Sequence, residues 1–103
     1  MVVIKKSDIH GKSVFAKNFI PKDTILTCDI LEVVPHNLIN KYVFYYKPDI
    51  KYIHIGFGSF LNSSKNYNVK HLKVDIESKI SYFEVISDIN EGEELFLGYG
   101  IYE

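Results

Sequence analysis

The sequence predicts a mainly β domain, and three observations carry that reading. Short runs rich in β-branched and aromatic residues recur along the chain, separated by turn residues. Helical periodicity appears in one short stretch only. The length of 103 residues, with 47% hydrophobic and 24% charged side chains, suits a single unit spanning 1–103 with one core.

Taken in order, Val2-Val3-Ile4 is the first strand, cut off by Lys5-Lys6. No apolar run approaches the roughly 20 residues of a membrane-spanning helix. Ser13–Ala16, Thr24–Thr27 and Ile30–Val34 follow as strands. The stretches Ile20–Leu26 and Ile89–Leu95 share a pattern, each leading from an apolar position into a strand six residues later, and read as reverse turns between paired strands. Asn37–Tyr46 is the one helix candidate: Leu38, Ile39, Tyr42 and Tyr46 fall at helical spacing and Pro48 stops the run. Gly56–Asn68 fits neither period and reads as an ordered loop, held by glycine, asparagine and serine and weighted by Phe57, Phe60 and Leu61. Irregular segments of this length inside compact domains are usually functional. Tyr82–Ile86 and Leu95–Leu97 close the set of strands.

The single cysteine, Cys28, can form no disulfide and no cysteine-based zinc site within the chain, which favours a soluble, intracellular protein. His10, His36, His54 and His71 lack paired metal spacing, so no metal is expected. All twelve basic residues are lysines, so no arginine fork is available for phosphate or guanine. Charge is unevenly laid out: residues 1–74 hold eleven lysines against five acids, and residues 75–103 one lysine against eight. The acidic third suits a cationic partner, and neither nucleic acid nor membrane is expected to bind.

Four segments, in order, resemble the SET domain of protein lysine methyltransferases, in the size range of its minimal stand-alone viral members. Ile4-Lys5-Lys6-Ser7 with Gly11-Lys12-Ser13-Val14-Phe15-Ala16 resembles the opening strand and a Gly-x-Gly-hydrophobic-Phe-Ala motif, Ser13 standing where the second glycine is usual. Gly56–Asn68 is similar to the segment bearing an Asn-His-Ser signature and a following Pro-Asn, with Ser63 in place of His and Tyr67 in place of Pro. Asp88–Gly100 is similar to the closing motif, in which Gly-Glu-Glu-hydrophobic leads to Tyr-Gly.

The resemblance implies several small β-sheets, one short helix, and a C-terminal segment threaded like a pseudoknot that brings Asn62 beside Tyr99. It implies S-adenosylmethionine as cofactor and methyl transfer to a lysine of a basic, histone-like tail, with a nuclear location if the substrate is a histone. The Gly11-Lys12-Ser13 turn would hold the cofactor's methionine end, and Asn62-Ser63 its adenine and amino ends, through backbone groups. A Cβ at Ser13 would stand where glycine allows close approach. Tyr99 would present its hydroxyl near the transferred methyl, with room left by Gly98 and Gly100, and Tyr42 and Tyr102 would furnish wall for the lysine channel. A lysine amine, ordinarily titrating near 10.4, must enter that channel neutral.

Two other functions compete. A catalytically silent SET-like module binding a protein partner accounts for Ser13, Ser63 and the short tail after Tyr99. An unrelated β nucleic-acid binder would use lysines and tyrosines as a stacking platform, and the arginine-free chain argues against it. A homodimer, with an aromatic patch around Tyr45, Tyr46 or Ile101 covered by a second copy, is the expected means of completing the channel.

Overall fold

The computed structural model describes residues 1–7, 11–33, 44–47 and 50–98. Among them are nine strands: β1 (Val2–Ser7), β2 (Gly11–Ala16), β3 (Ile25–Val33), β4 (Phe44–Lys47), β5 (Ile50–Ile55), β6 (Asn62–Ser64), β7 (Val69–Asp75), β8 (Ile80–Val85) and β9 (Phe96–Gly98). β1 and β2 form an antiparallel ribbon, and the other seven form one sheet in the order β4-β5-β3-β8-β7-β9-β6. The C-terminal strand β9 is thus inserted between β7 and β6, parallel to both. No helix among the described residues is long and apolar enough to cross a membrane.

Several elements differ from the sequence reading, each for a local reason. The two runs expected over Thr24–Thr27 and Ile30–Val34 are joined over Ile25–Val33 into one strand, β3, with Val34 outside the described residues. Leu26, Cys28 and Ile30 point inward while Ile25, Asp29 and Leu31 point out, so Asp29 sits on the outer face and breaks nothing. Of the helix candidate, residues 37–43 lie outside the described part, and Phe44, Tyr45 and Tyr46 are strand residues of β4, paired with β5 as aromatic runs favour. The expected loop over 56–68 contains a one-turn 3-10 helix, Phe57–Phe60, and the short strand β6.

The two matching turns do not join paired strands. They lie side by side: Ile20 and Ile89 exchange N–H to carbonyl bonds of 2.8 Å in both directions, and the Lys22 amide donates to the Asp88 carboxylate at 2.8 Å. Asp23 at φ 74 and Gly92 at φ 86 supply the left-handed backbone that each turn needs. Behind the turns lies a core of Val14, Ala16, Ile20, Leu26, Cys28, Val69, Phe83, Val85, Ile89, Leu95 and Leu97. Burial of each large aliphatic or aromatic side chain in it contributes about 1.5–3 kcal/mol. Cys28 belongs to this core, its Sγ 3.0 Å from the Ile55 carbonyl, and burial pushes its thiol up.

The 3-10 helix is seated on β5. A Cβ on Gly58 would lie 2.7 Å from Cγ of His54, so glycine lets the turn approach the imidazole, and the Ser59 hydroxyl donates to the His54 carbonyl. His54 is 3% exposed and its Nε2 lies 3.0 Å from the Ser81 hydroxyl, which also meets Nε2 of His71 at 2.7 Å. The one hydroxyl proton goes to one ring, so the other ring is the donor to the hydroxyl oxygen.

Burial, with His71 beside it, lowers His54 from 6.5 to about 4, and burial lowers His71 as well. The fold holds the neutral ring, so the unfolded chain takes up protons first. Stability from His54 is complete above about pH 6.5 and is lost as pH falls toward about 4, a loss of about 3 kcal/mol for this group. Urea unfolding at about pH 7 and about pH 4.5 should show that fall, with a shallower pH slope in His54→Gln.

Candidate functional site

Gly11 opens β2 opposite Ser7, with φ 76, and no described atom lies within 4 Å of where its Cβ would be. Gly11, Lys12 and Ser13 are therefore strand residues and not a turn, and residues 8–10 lie outside the described part. Gly11 and Lys12 are exposed. Ser13 is wholly buried, and its hydroxyl donates to Oε2 of Glu94. The Ser13 side chain is thus turned into the protein, where Glu94 holds its hydroxyl.

Asn62 and Ser63 lie on β6, paired in parallel with Phe96 and Leu97 of β9. The side-chain amide of Asn62 donates to the same Glu94 Oε2 at 3.3 Å, and Ser63 is exposed. One carboxylate oxygen therefore ties β2 to β6, the two segments picked out in the sequence as cofactor-holding. A charged acceptor shared by two neutral donors is among the stronger hydrogen-bond arrangements.

Asn68 fixes the chain that leads to β9. Its Nδ2 donates to the Glu94 carbonyl at 2.9 Å, its Oδ1 accepts from the Phe96 amide at 2.8 Å, and its own N–H donates to the Phe96 carbonyl at 3.2 Å. Gly98, at the end of β9, leaves no empty room: the space a side chain would take is filled by the Tyr67 ring. Tyr99, Tyr42 and Tyr102 lie outside the described residues, as do Gly100 and Ile101.

Glu94 and Asn68 were not singled out from the sequence. A signal for Glu94 was there, since Glu93 and Glu94 must face opposite ways in extended chain. Glu93 turns back to accept from the Asn90 amide at 2.6 Å, which leaves Glu94 to face inward. Asn68 carried one signal, as the Asn that matches the Pro-Asn of the family pattern, while its partners 26 and 28 residues away left no local trace.

A family profile described as SET domain matches residues 11–100, nearly the whole chain. The chain belongs to the SET-domain family. Solved structures agree in fold. A Plasmodium falciparum protein assigned as a histone methyltransferase superposes with a TM-score of 0.83 at 22% identity, covering 96% of this chain and 92% of that one. The methyltransferase domain of human PR domain-containing protein 2 gives a TM-score of 0.69 at 18% identity, covering 96% and 77%. A search of curated protein sequences finds no match. The SET fold explains why β9 runs between β6 and β7 and why the motif segments, distant in sequence, meet at Glu94.

The buried bond from Ser13 gives glycine at this position a cost in stability. Ser13→Gly and Ser13→Ala should each lower stability by about 1–2 kcal/mol, because Glu94 keeps its burial and loses a donor. Equilibrium urea unfolding measures the loss, and a stability gain in Ser13→Gly would show that the bond contributes nothing.

Proposed function

We propose that this SET domain transfers methyl groups from S-adenosylmethionine to a lysine side chain of a protein. The observation that carries this reading is the Glu94 carboxylate joining Ser13 on β2 to Asn62 on β6, next to the strand that leads to Tyr99. It draws together the segments that the family uses for cofactor and for catalysis. The residues fit the cofactor: no described atom fills the space where a Gly11 side chain would be, and Ser63 is exposed on β6, an outer strand of the sheet, so both can be approached from outside. Gly11, Lys12, Asn62 and Ser63 would hold it.

When bound, S-adenosylmethionine supplies a methyl group activated by its sulfonium. The chain's own part is positioning and the exclusion of water. Tyr99 orients the amine by its hydroxyl, and Tyr42 and Tyr102 wall the channel, whose apolar lining favours the neutral amine over the ammonium. Asp88, Glu91 and Glu93 are exposed on one turn and its flank, which supports a basic, histone-like tail as substrate by charge complementarity. With a histone substrate the site of action is the nucleus.

A homodimer is part of the proposal. β4 is an outer strand of the sheet among the described residues, and the edge that carries Tyr45 and Tyr46 is a surface for a second copy to continue. Light scattering at high micromolar concentration should give twice 11.9 kDa, and a clean monomer would remove this part.

Titration calorimetry with S-adenosylmethionine should give saturable binding. Transfer of labelled methyl to mixed histones should fall by about tenfold or more in Tyr99→Phe, with melting nearly unchanged, whereas Asn62→Ala should weaken cofactor binding as well. Full activity in Tyr99→Phe would take this residue out of the reaction. Binding without transfer to any basic protein would identify a silent binding module instead.

A further inference from the structure

Tyr67 stands where the family pattern has proline, and its ring lies flat against the backbone of Gly98, the last residue of β9. A Cβ on Gly98 would sit 2.7 Å from Cδ2, 2.8 Å from Cε2 and 2.8 Å from Cγ of Tyr67. Cγ is at the stem of the ring, so tilting the tip cannot relieve that contact. Only glycine at 98 admits the ring, and Tyr67 keeps 37% of its surface exposed, so core burial alone does not account for it.

The loop that carries Tyr67 grips β9 at alternate residues. Asn68 holds the Glu94 carbonyl and both backbone groups of Phe96, and Tyr67 covers Gly98. The backbone groups of residues 94 and 96 are held along the strand's edge, and the ring then covers the face of residue 98. The loop is itself anchored, since the Asn66 amide donates to the Ser64 hydroxyl at 3.0 Å and the Asn68 carbonyl accepts from Ile86 at 2.9 Å. The last grip point is one residue before Tyr99. We infer that Tyr67 is a positioning residue for the proposed reaction: its ring, locked on Gly98, holds the end of β9, the residue from which the chain passes to Tyr99. This rests on the role proposed for Tyr99.

The test compares the parent with Tyr67→Ala, Tyr67→Phe, Gly98→Ala and the double variant Tyr67→Ala/Gly98→Ala. Two readouts are taken well below the melting temperature: hydrogen exchange at the Gly98 and Tyr99 amides, which needs no activity, and kcat and cofactor KM for methyl transfer to histones. Tyr67→Ala should speed exchange at both amides by about tenfold and lower kcat by about tenfold, with cofactor KM within about twofold. Tyr67→Phe keeps the ring and should match the parent. Gly98→Ala should reproduce the loss, and the double variant should be no worse than Tyr67→Ala, because both changes remove the same contact.

Parent-like exchange in Tyr67→Ala overturns the inference, as do losses that multiply in the double variant. A merely structural ring would lower stability and shift cofactor KM together with kcat, which also overturns it. A parent that transfers no methyl while the exchange pattern holds overturns the assigned reaction and upholds the grip of Tyr67 on β9.

Discussion

The chain from Ile89 to Gly98 enters the middle of the fold, and its backbone polar groups must find partners there, since a buried N–H or carbonyl left alone costs more than a made hydrogen bond returns. The partners come from several directions. Ile20 pairs with Ile89, Ala16 accepts from Gly92 and donates to Glu93, and Val14 accepts from Leu95. Asn68 then takes the Glu94 carbonyl and the Phe96 amide with its side chain, just ahead of Val69, where β7 meets β9 at Leu97. From Phe96 on, β9 also runs in a parallel ladder with β6. Most of the architecture follows from satisfying this one segment: the β1–β2 ribbon, the paired turns and the loop 65–68 each supply part of its partners.

The same constraint builds the site. A segment threaded between β2 on one side and β6 on the other brings its side chains to both. Glu94 is at the crossing, and its carboxylate reaches Ser13 and Asn62 together. Threading also explains why the seating of the 3-10 helix on His54 matters for function. The helix leads through Leu61 directly into Asn62, so the position of β6 depends on Gly58 lying against the buried imidazole. The His54–Ser81–His71 cluster is thus a support for the site at one remove, holding β5, β7 and β8 together beneath that turn.

Where side-chain period and burial agree, the sequence was legible. β8 alternates with Ser81, Phe83 and Val85 inward, and the run Tyr82–Ile86 showed it. β5 was missed because its pattern is inverted: Tyr52 and His54 are buried while Ile55 is exposed, so the polar-looking positions are the inner ones. β7 was missed because a register shift between His71 and Lys73 breaks the period and lysines dominate its face. The helix candidate failed over Phe44–Tyr46 because apolar spacing in a short aromatic run does not separate helix from an edge strand. The parallel β6–β9 pairing joins residues about thirty positions apart, and no local pattern encodes it. The family resemblance supplied the threading, and spacing alone could not have done so.

The departures from the family pattern gain a different meaning in three dimensions. Read singly, Ser13 for glycine and Tyr67 for proline look like decay at the motifs that matter most. Each is half of a pair. The Ser13 hydroxyl is answered by Glu94, whose second donor is Asn62. The Tyr67 ring is answered by Gly98, where any side chain would collide with it. A motif lost by drift would leave a cavity, a clash or a buried group without a partner, and neither position has one. Ser63 differs in kind: it is exposed on β6, so the residue there is free of packing demands, and its backbone remains in the ladder with Leu97 whatever its side chain is. Substitutions answered inside the fold preserve the placement of the main chain at β2 and β9, the strands that Glu94 and Gly98 tie into the threaded segment.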